Sequence, residues 1–305
     1  MEVYLPIAEM AVNPLLMAGL GMFIGALSGL FGVGGGFLTT PLLILAGIPA
    51  PVAVATGSNL AAAAAMSSTF DHWAKRTVDV RMALLLTLGG GAGALIGVQV
   101  LSGARTAGLD EALISIAYVL LLSFIGGGMV WESLRALRRA RAGEPAAPWS
   151  RRHGILQRLP LQMRFPRSGL YVSAIPPVML GVAVGVLAAI MGVGGGFILV
   201  PAMIYLLHMP ARTVVGTSLF QILLLSSFVT LLQAIVNGSV DIVLAGLMIV
   251  GAVVGAQIGG MIGRRLQSEQ IRVLLGALVL AVALALAGDL FIAPSDLFSV
   301  TEISR

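Results

Sequence analysis

Cysteine is absent from the chain, which excludes disulfides, thiolate nucleophiles and cysteine-ligated metals. Charge is scarce as well. Asp, Glu, Lys and Arg make up 10% of the 305 residues, against about 25% in an ordinary soluble domain. So little charge cannot cover a water-facing surface. The hydrophobic content of 58% and mean hydropathy of +1.01 belong to membrane spans, and at about 20 apolar residues per span there is room for roughly eight to ten. The opening MEVYLPIAEM has two acids and no Lys or Arg, so it lacks the cationic start of a cleaved signal peptide. The first apolar run is expected to be retained. The net charge of +5 does not argue for nucleic acid, because nine of the 18 basic residues lie between Arg135 and Arg167.

What is abundant is apolar sequence broken by glycine. Apolar runs fall near 14–31, 37–48, 50–70, 82–103 and 112–134, then near 171–191, 197–208, 213–236, 242–263 and 272–293. The runs at 37–48 and 197–208 are too short to span, since about 12 residues of helix cover roughly 18 Å. Each follows a triple glycine, and both are expected to be half-helices or re-entrant segments. The sequence divides into a first membrane repeat (1–134), a basic cytoplasmic linker (135–170) and a second membrane repeat (171–305). The expected fold is an all-α polytopic membrane protein of two inverted-topology repeats with about five membrane segments each.

The repeat can be read residue by residue. Gly32-Val33-Gly34-Gly35-Gly36-Phe37 returns as Gly192-Val193-Gly194-Gly195-Gly196-Phe197, a shift of 160, and Pro41 returns as Pro201. Further on, Val78-Asp79-Val80 matches Val240-Asp241-Ile242 at a shift of 162, as Gly89, Gly93 and Gly97 match Gly251, Gly255 and Gly259. Duplicated halves are a common plan for secondary transporters. Loop charge suggests their orientation. The loop at 71–81 holds Lys75, Arg76 and Arg81, whereas its counterpart 237–241 holds no cation. The next pair reverses the bias, with Arg105 alone in 104–111 but Arg264, Arg265 and Arg272 in 264–272. By the positive-inside rule, matching loops lie on opposite sides, the linker is cytoplasmic and both termini are outside.

Three consecutive glycines cost a helix about 1 kcal/mol each relative to alanine. Chain that unwinds within a bilayer must line a cavity or be buried in protein. The next half-helix then offers free N–H groups and the positive end of its dipole to an anion. Two such breaks would point at one central site. The spaced glycines, Gly21/Gly25/Gly29 among them, read instead as close helix packing. Near the breaks lie polar side chains able to bond an anion without carrying charge: Thr39, Thr40, Thr56, Ser58, Asn59, Thr217, Ser218 and Gln221. The competing reading is helix capping or helix–helix bonding. With Gly32, Gly34, Gly35, Gly36, Gly192, Gly194, Gly195 and Gly196 they form the candidate substrate-binding set. No Lys or Arg falls in the middle of an apolar run, so backbone dipoles would have to meet the anion's charge. Asp79 and Asp241 read as helix N-caps. Asp71, His72, Asp79 and His208 are the groups available for proton coupling, and nothing singles one out.

The paired GVGGGF segments, each followed by an in-register proline and then an Ala-Thr or Gly-Thr stretch, resemble the TauE/SafE family of sulfite-exporter and sulfonate-uptake permeases. The resemblance covers nearly the whole chain. It implies transport of sulfur-containing anions (sulfite, thiosulfate or small organosulfonates) across the cytoplasmic inner membrane, with the eight signature glycines above as its motif positions. The expected activity is that of a secondary transporter, with a passive anion channel on the same scaffold as the alternative. The expected partners are a small anion, membrane lipid, a coupling proton or ion and a second copy of the chain, not nucleic acid. An enzyme is not expected, and neither is a metal or cofactor. The three histidines lie in loops or at run ends, and no serine has a base beside it.

Overall fold

The computed structural model describes residues 3–31, 36–142, 160–263 and 268–291. The first half runs β1 (Val3–Leu5), β2 (Met10–Val12), α1 (Pro14–Phe31), α2 (Gly36–Leu45), α3 (Ala50–Ala74), α4 (Val80–Thr106) and α5 (Asp110–Ala142). The second runs β3 (Gln162–Phe165), β4 (Leu170–Ser173), α6 (Ile175–Met191), α7 (Gly196–Tyr205), α8 (Ala211–Leu232), α9 (Ile242–Gly263) and α10 (Ser268–Phe291). A π-helical turn, Gln233–Asn237, closes α8.

The protein is mostly helical, and four helical stretches are long and apolar enough to cross a membrane: Val80–Thr106, Asp110–Gly128, Thr213–Asn237 and Ile242–Gly259. Shorter apolar helices include Pro14–Leu30, Gly36–Leu45, Ile175–Met191 and Gly196–Tyr205. Helix α3 has 25 residues but interrupts its apolar run with Thr56, Ser58, Asn59 and a polar last turn.

Two features depart from an all-α chain joined by an unstructured linker. Each half opens with a short antiparallel hairpin, Val3 to Leu5 pairing Val12 to Met10 and Gln162 to Phe165 pairing Ser173 to Leu170. Each hairpin turns at a proline, Pro6 or Pro166, and reverses through a left-handed residue, Glu9 (φ 52°) or Gly169 (φ 64°). Leu5 and Phe165 anchor the turns in the interior. Behind each hairpin a side chain takes an N–H at the start of the next helix: Asn13 Oδ1 accepts from Leu15 N at 3.0 Å and Ser173 Oγ from Ile175 N at 3.2 Å. Of the stretch 135–170, residues 135–142 therefore extend α5 and 162–165 form β3; 143–159 lie outside the described residues.

The halves interlock rather than sit side by side. Helix α1 packs along α9 and α4 along α6, while α3 crosses α8 and α5 lies against α10. Both outer seams are backbone-to-backbone contacts at glycine. A Cβ on Gly21 or Gly25 would overlap the main chain of Met248 or Ala252, and one on Gly251, Gly255 or Gly259 that of Ala18, Met22 or Ala26. The second seam has the same pairs, with Gly181 and Gly185 against Leu86 and Gly90, and Gly89, Gly93 and Gly97 against Val178, Val182 and Val186. Every pair in one seam maps onto a pair in the other by the sequence shifts of 160 and 162. Small residues at such seams let helices gain dispersion contact where lipid offers no hydrophobic drive. At the centre, the matching rings of Phe37 and Phe197 stack face to face, centroids 4.5 Å apart and planes parallel.

Candidate functional site

Helix α6 ends at Met191. Gly192, Gly194 and Gly195 then take left-handed conformations, with φ of 70°, 69° and 78°. A residue with a Cβ would meet a penalty of roughly 1–2 kcal/mol at each. Gly192 closes the helix through its N–H to Ala188 O at 2.8 Å. Helix α7 restarts at Gly196, where no side chain caps the first turn, so its leading N–H groups have no helical acceptor. Space confines this segment further. A Cβ at Gly192 would overlap the carbonyl of Val54, and one at Gly194 would fall 2.7 Å from Ser226 Oγ and 2.9 Å from Ala61 Cβ. The segment is thus pressed between α3 and α8. Gly36, at the start of α2, approaches it from the other half, its direction of substitution meeting Ala61 Cβ at 2.8 Å and Val193 O at 2.9 Å. Gly32, Gly34 and Gly35 lie outside the described residues.

The carbonyls freed where α6 stops are met by side chains. Met191 O accepts from Thr40 Oγ1 at 3.1 Å and from the Tyr118 hydroxyl. Thr40 Oγ1 also lies 3.3 Å from Ala53 O. Gln233 Nε2 donates to Ala189 O at 2.9 Å, Asn237 Nδ2 donates to Gln233 Oε1 at 2.5 Å, and Arg105 donates to Asn237 O at 2.5 Å. This relay ties α4 and the end of α8 to α6.

The sequence candidates separate into two groups. Engaged in structural bonds are Thr40, Thr217, whose Oγ1 accepts from Asp79 N at 3.0 Å, and Ser218, whose Oγ donates to Val215 O at 3.0 Å. Thr39 is buried and bonded. Asn59 is half-buried on α3. The second group is buried without a partner: Thr56 Oγ1, Ser58 Oγ and both amide atoms of Gln221. A buried polar group without a bond costs about 1–3 kcal/mol; Thr69, Thr230 and Ser239 share this state elsewhere on the chain. Ser226 Oγ belongs with Thr56, Ser58 and Gln221, buried, unbonded and against Gly194. The sequence alone does not single it out, because the Ser226-Ser227 pair in the apolar run Leu223 to Phe228 carries no spacing signal. Thr56 and Ser58 flank Gly57, whose missing side chain faces Thr40 Oγ1 and Gly192 O. Among the described residues, the buried charged groups are Asp79 and Asp241 alone, both remote from this cluster in role.

Those two aspartates clamp the hairpins. Asp79 Oδ1 accepts from Met82 N at 3.3 Å as the N-cap of α4, and its Oδ2 accepts from Ser168 N at 3.0 Å and Ser168 Oγ at 2.7 Å. Asp241 Oδ1 accepts from Val243 N and Leu244 N at 3.0 and 3.1 Å, and Oδ2 from Ile7 N at 3.2 Å. Each carboxylate therefore ties a helix start in one half to the hairpin turn of the other. Of the remaining proton-coupling candidates, His72 Nδ1 lies 2.9 Å from Thr77 Oγ1 and His208 Nδ1 3.2 Å from Leu206 O. The Asp71 side chain lies outside the described residues.

Comparison with known proteins gives one consistent picture. The family model "Sulfite exporter TauE/SafE" matches residues 17–286. Three relatives are named as probable membrane transporter proteins. YjnA of Bacillus subtilis (strain 168) is 30% identical over 280 residues, 91% of this chain and 100% of its own. YunE of the same organism is 26% identical over 88% of this chain and 93% of its own, and a protein of Xylella fastidiosa (strain 9a5c) is 27% identical over 90% and 95%. No solved structure matches the chain. Both the family and these relatives are named as transporters rather than enzymes. A polytopic helical chain whose match runs through both glycine segments is accounted for: it belongs to the TauE/SafE family of membrane transporters.

Proposed function

We propose that this protein is a secondary transporter that carries sulfur-containing anions (sulfite, thiosulfate or small organosulfonates) across the cytoplasmic inner membrane. The anion would bind at the Gly192–Gly196 segment between α3 and α8, with the first glycine segment completing the site. One observation carries this reading: buried donors without a partner at Thr56, Ser58, Gln221 and Ser226 lie on α3 and α8, the two helices between which the left-handed glycines and an uncapped helix start are pressed, with no cation among them. Hydroxyl, amide and backbone N–H groups stabilise a dispersed oxyanion charge without holding it as tightly as a buried guanidinium would. Release is then as feasible as capture.

The halves are read as inverted repeats, with linker 135–170 cytoplasmic and both termini outside. The swapped pairing of α1 with α9 and α4 with α6, and the Phe37–Phe197 stack on the line between the halves, support a two-fold relation. The opposite cation bias of matching loops supports an axis in the membrane plane. A passive channel is not favoured, since the relatives are named as transporters.

Flux of labelled sulfite, thiosulfate and sulfoacetate into proteoliposomes tests the proposal. Gly195→Leu is expected to abolish flux of whichever anion moves, while a monodisperse elution profile shows that the protein still folds. Unchanged flux in a folded Gly195→Leu protein overturns the site. Failure of all three anions in the wild-type protein overturns the substrate class.

A further inference from the structure

Away from the glycine segments, a pocket of about 300 Å³ opens where the end of α3, the α3–α4 loop and the β3–β4 turn meet, lined by Trp73, Ala74, Arg76, Val78, Val80 and Arg167. Arg76 is the left-handed residue that ends α3, at φ 54°. Its N–H bonds Trp73 O at 3.0 Å and the next N–H, of Thr77, bonds His72 O at 3.1 Å. This is the helix-ending position that glycine normally takes. The duplicated half supplies an internal control. Arg76 corresponds to Gly238, also left-handed at φ 57°, with Ser239 N reaching back to Gln233 O. At the same turn, one half uses the strain-free residue and the other puts a guanidinium there despite the strain.

The same change of character holds at Arg167 and Trp73, while Ala74, Val78 and Val80 have apolar counterparts. Arg167 corresponds to Ile7, Trp73 to Ile235, Ala74 to Val236 and Val80 to Ile242. What is a cationic, tryptophan-walled recess in one half is an apolar surface in the other. Among the described residues neither guanidinium has an acidic partner, the nearby Asp79 carboxylate being taken up by Ser168 and Met82. Arg81, whose NH1 donates to Arg164 O at 3.4 Å, and Arg164 itself are two further cations on the same side. Trp73 and Phe70 are more than half exposed at the end of α3, as aromatic side chains are at a membrane–water interface.

We propose that this recess is a binding site for the headgroup phosphate of an anionic membrane phospholipid, held between Arg76 and Arg167 with Trp73 against the glycerol region. A bidentate guanidinium matches a phosphodiester oxyanion, and cationic recesses at helix ends on one membrane face are where acidic lipids bind. A free tetrahedral oxyanion is held by the same guanidinium chemistry, but the exposed Trp73 in the wall, with exposed Phe70 one turn back on α3, favours a ligand with an acyl tail. The site is separate from the transport site and does not depend on its substrate.

The test is thermal unfolding of the full chain in detergent micelles supplemented with phosphatidylglycerol, with phosphatidylcholine, or with millimolar inorganic phosphate. Phosphatidylglycerol is expected to raise Tm by several degrees over phosphatidylcholine, and inorganic phosphate is not. In the double variant Arg76→Gly, Arg167→Ile, which copies the second half, the phosphatidylglycerol shift falls at least twofold, while Tm in phosphatidylcholine is no lower than wild type. The single variant Arg167→Ile, on an exposed turn, shows the same direction of loss should the double variant not fold. A full phosphatidylglycerol shift in the folded variants, no preference over phosphatidylcholine in the wild type, or an equal shift with inorganic phosphate each overturns the lipid site.

Discussion

The two hairpin clamps are the same device built twice, with one turn N–H shifted by a residue and different residues at their rims. In both, a buried carboxylate caps a helix and takes a turn N–H from the opposite half: Asp79 to Met82 and Ser168, Asp241 to Leu244 and Ile7. Around the first stand Arg76 and Arg167; around the second stand Gly238 and Ile7. The centre shows the same contrast, since Thr39-Thr40 follow the first glycine segment and Leu199-Val200 the second. What the halves share is the glycine seams, which meet backbone to backbone, and the two carboxylate clamps. What they do not share is side-chain chemistry: Thr40 bonds Met191 O, which Val200 at the matching place cannot do, and Arg76 and Arg167 line a recess that Gly238 and Ile7 do not. A duplication thus sorts scaffold from specialisation without any other sequence for comparison.

The comparison can be broken most forcefully at the seams. Gly25→Leu and Gly185→Leu each drive a side chain into a facing backbone, Ala252 or Gly90. Overpacking a tight site costs about 1–3 kcal/mol and more where the obstacle is main chain, so both are expected to lose the folded protein, measured as monodisperse yield. If only one does, the seams are not equivalent. Next come the clamps. Asp79→Ala and Asp241→Ala each strand three donors of a charge-assisted set, a loss of roughly 3 kcal/mol. Chemical unfolding in detergent should place the two within about 1 kcal/mol of each other. Thr40→Val removes a donor from Met191 O, which Tyr118 still serves, and should cost roughly 1 kcal/mol. Val200→Thr at the matching place should cost no more. The smallest effect sharpens the difference in the rims. Gly238→Ala should destabilise by about 1 kcal/mol, whereas Arg76→Gly should stabilise by a similar amount, read in the same unfolding assay without anionic lipid.

Much of the scaffold was legible. Glycines four apart marked both seams, because only glycine permits the backbone approach seen at Gly93 and Gly255. Asp79 and Asp241 were readable as caps from their place before apolar runs. Their second role was not, because it depends on hairpins whose strands are only three or four residues long. Those hairpins left one faint signal: Leu5-Pro6 and Phe165-Pro166 share the shift of 160, so the repeat extends upstream of where it was traced. Arg76 was hidden for a plainer reason, since nothing in a sequence announces a left-handed arginine. Among the polar candidates, residue type alone could not separate Thr217, held by Asp79, from Thr56 or Gln221, held by nothing. That division is made by which helices cross, and α3 meets α8 from more than 100 residues away in the chain.

The interlocked seams also fix the order in which the protein can be completed. Helix α1 finishes at Phe31, but the ridge that fills its glycine groove, α9, begins at Ile242. At about 5–20 residues per second, the ribosome reaches that ridge roughly 10–40 s later. Helix α4 waits similarly, though more briefly, for α6. The amino-terminal half therefore enters the bilayer as an open structure with two unfilled grooves. It becomes a finished repeat only when its twin arrives to be completed in turn.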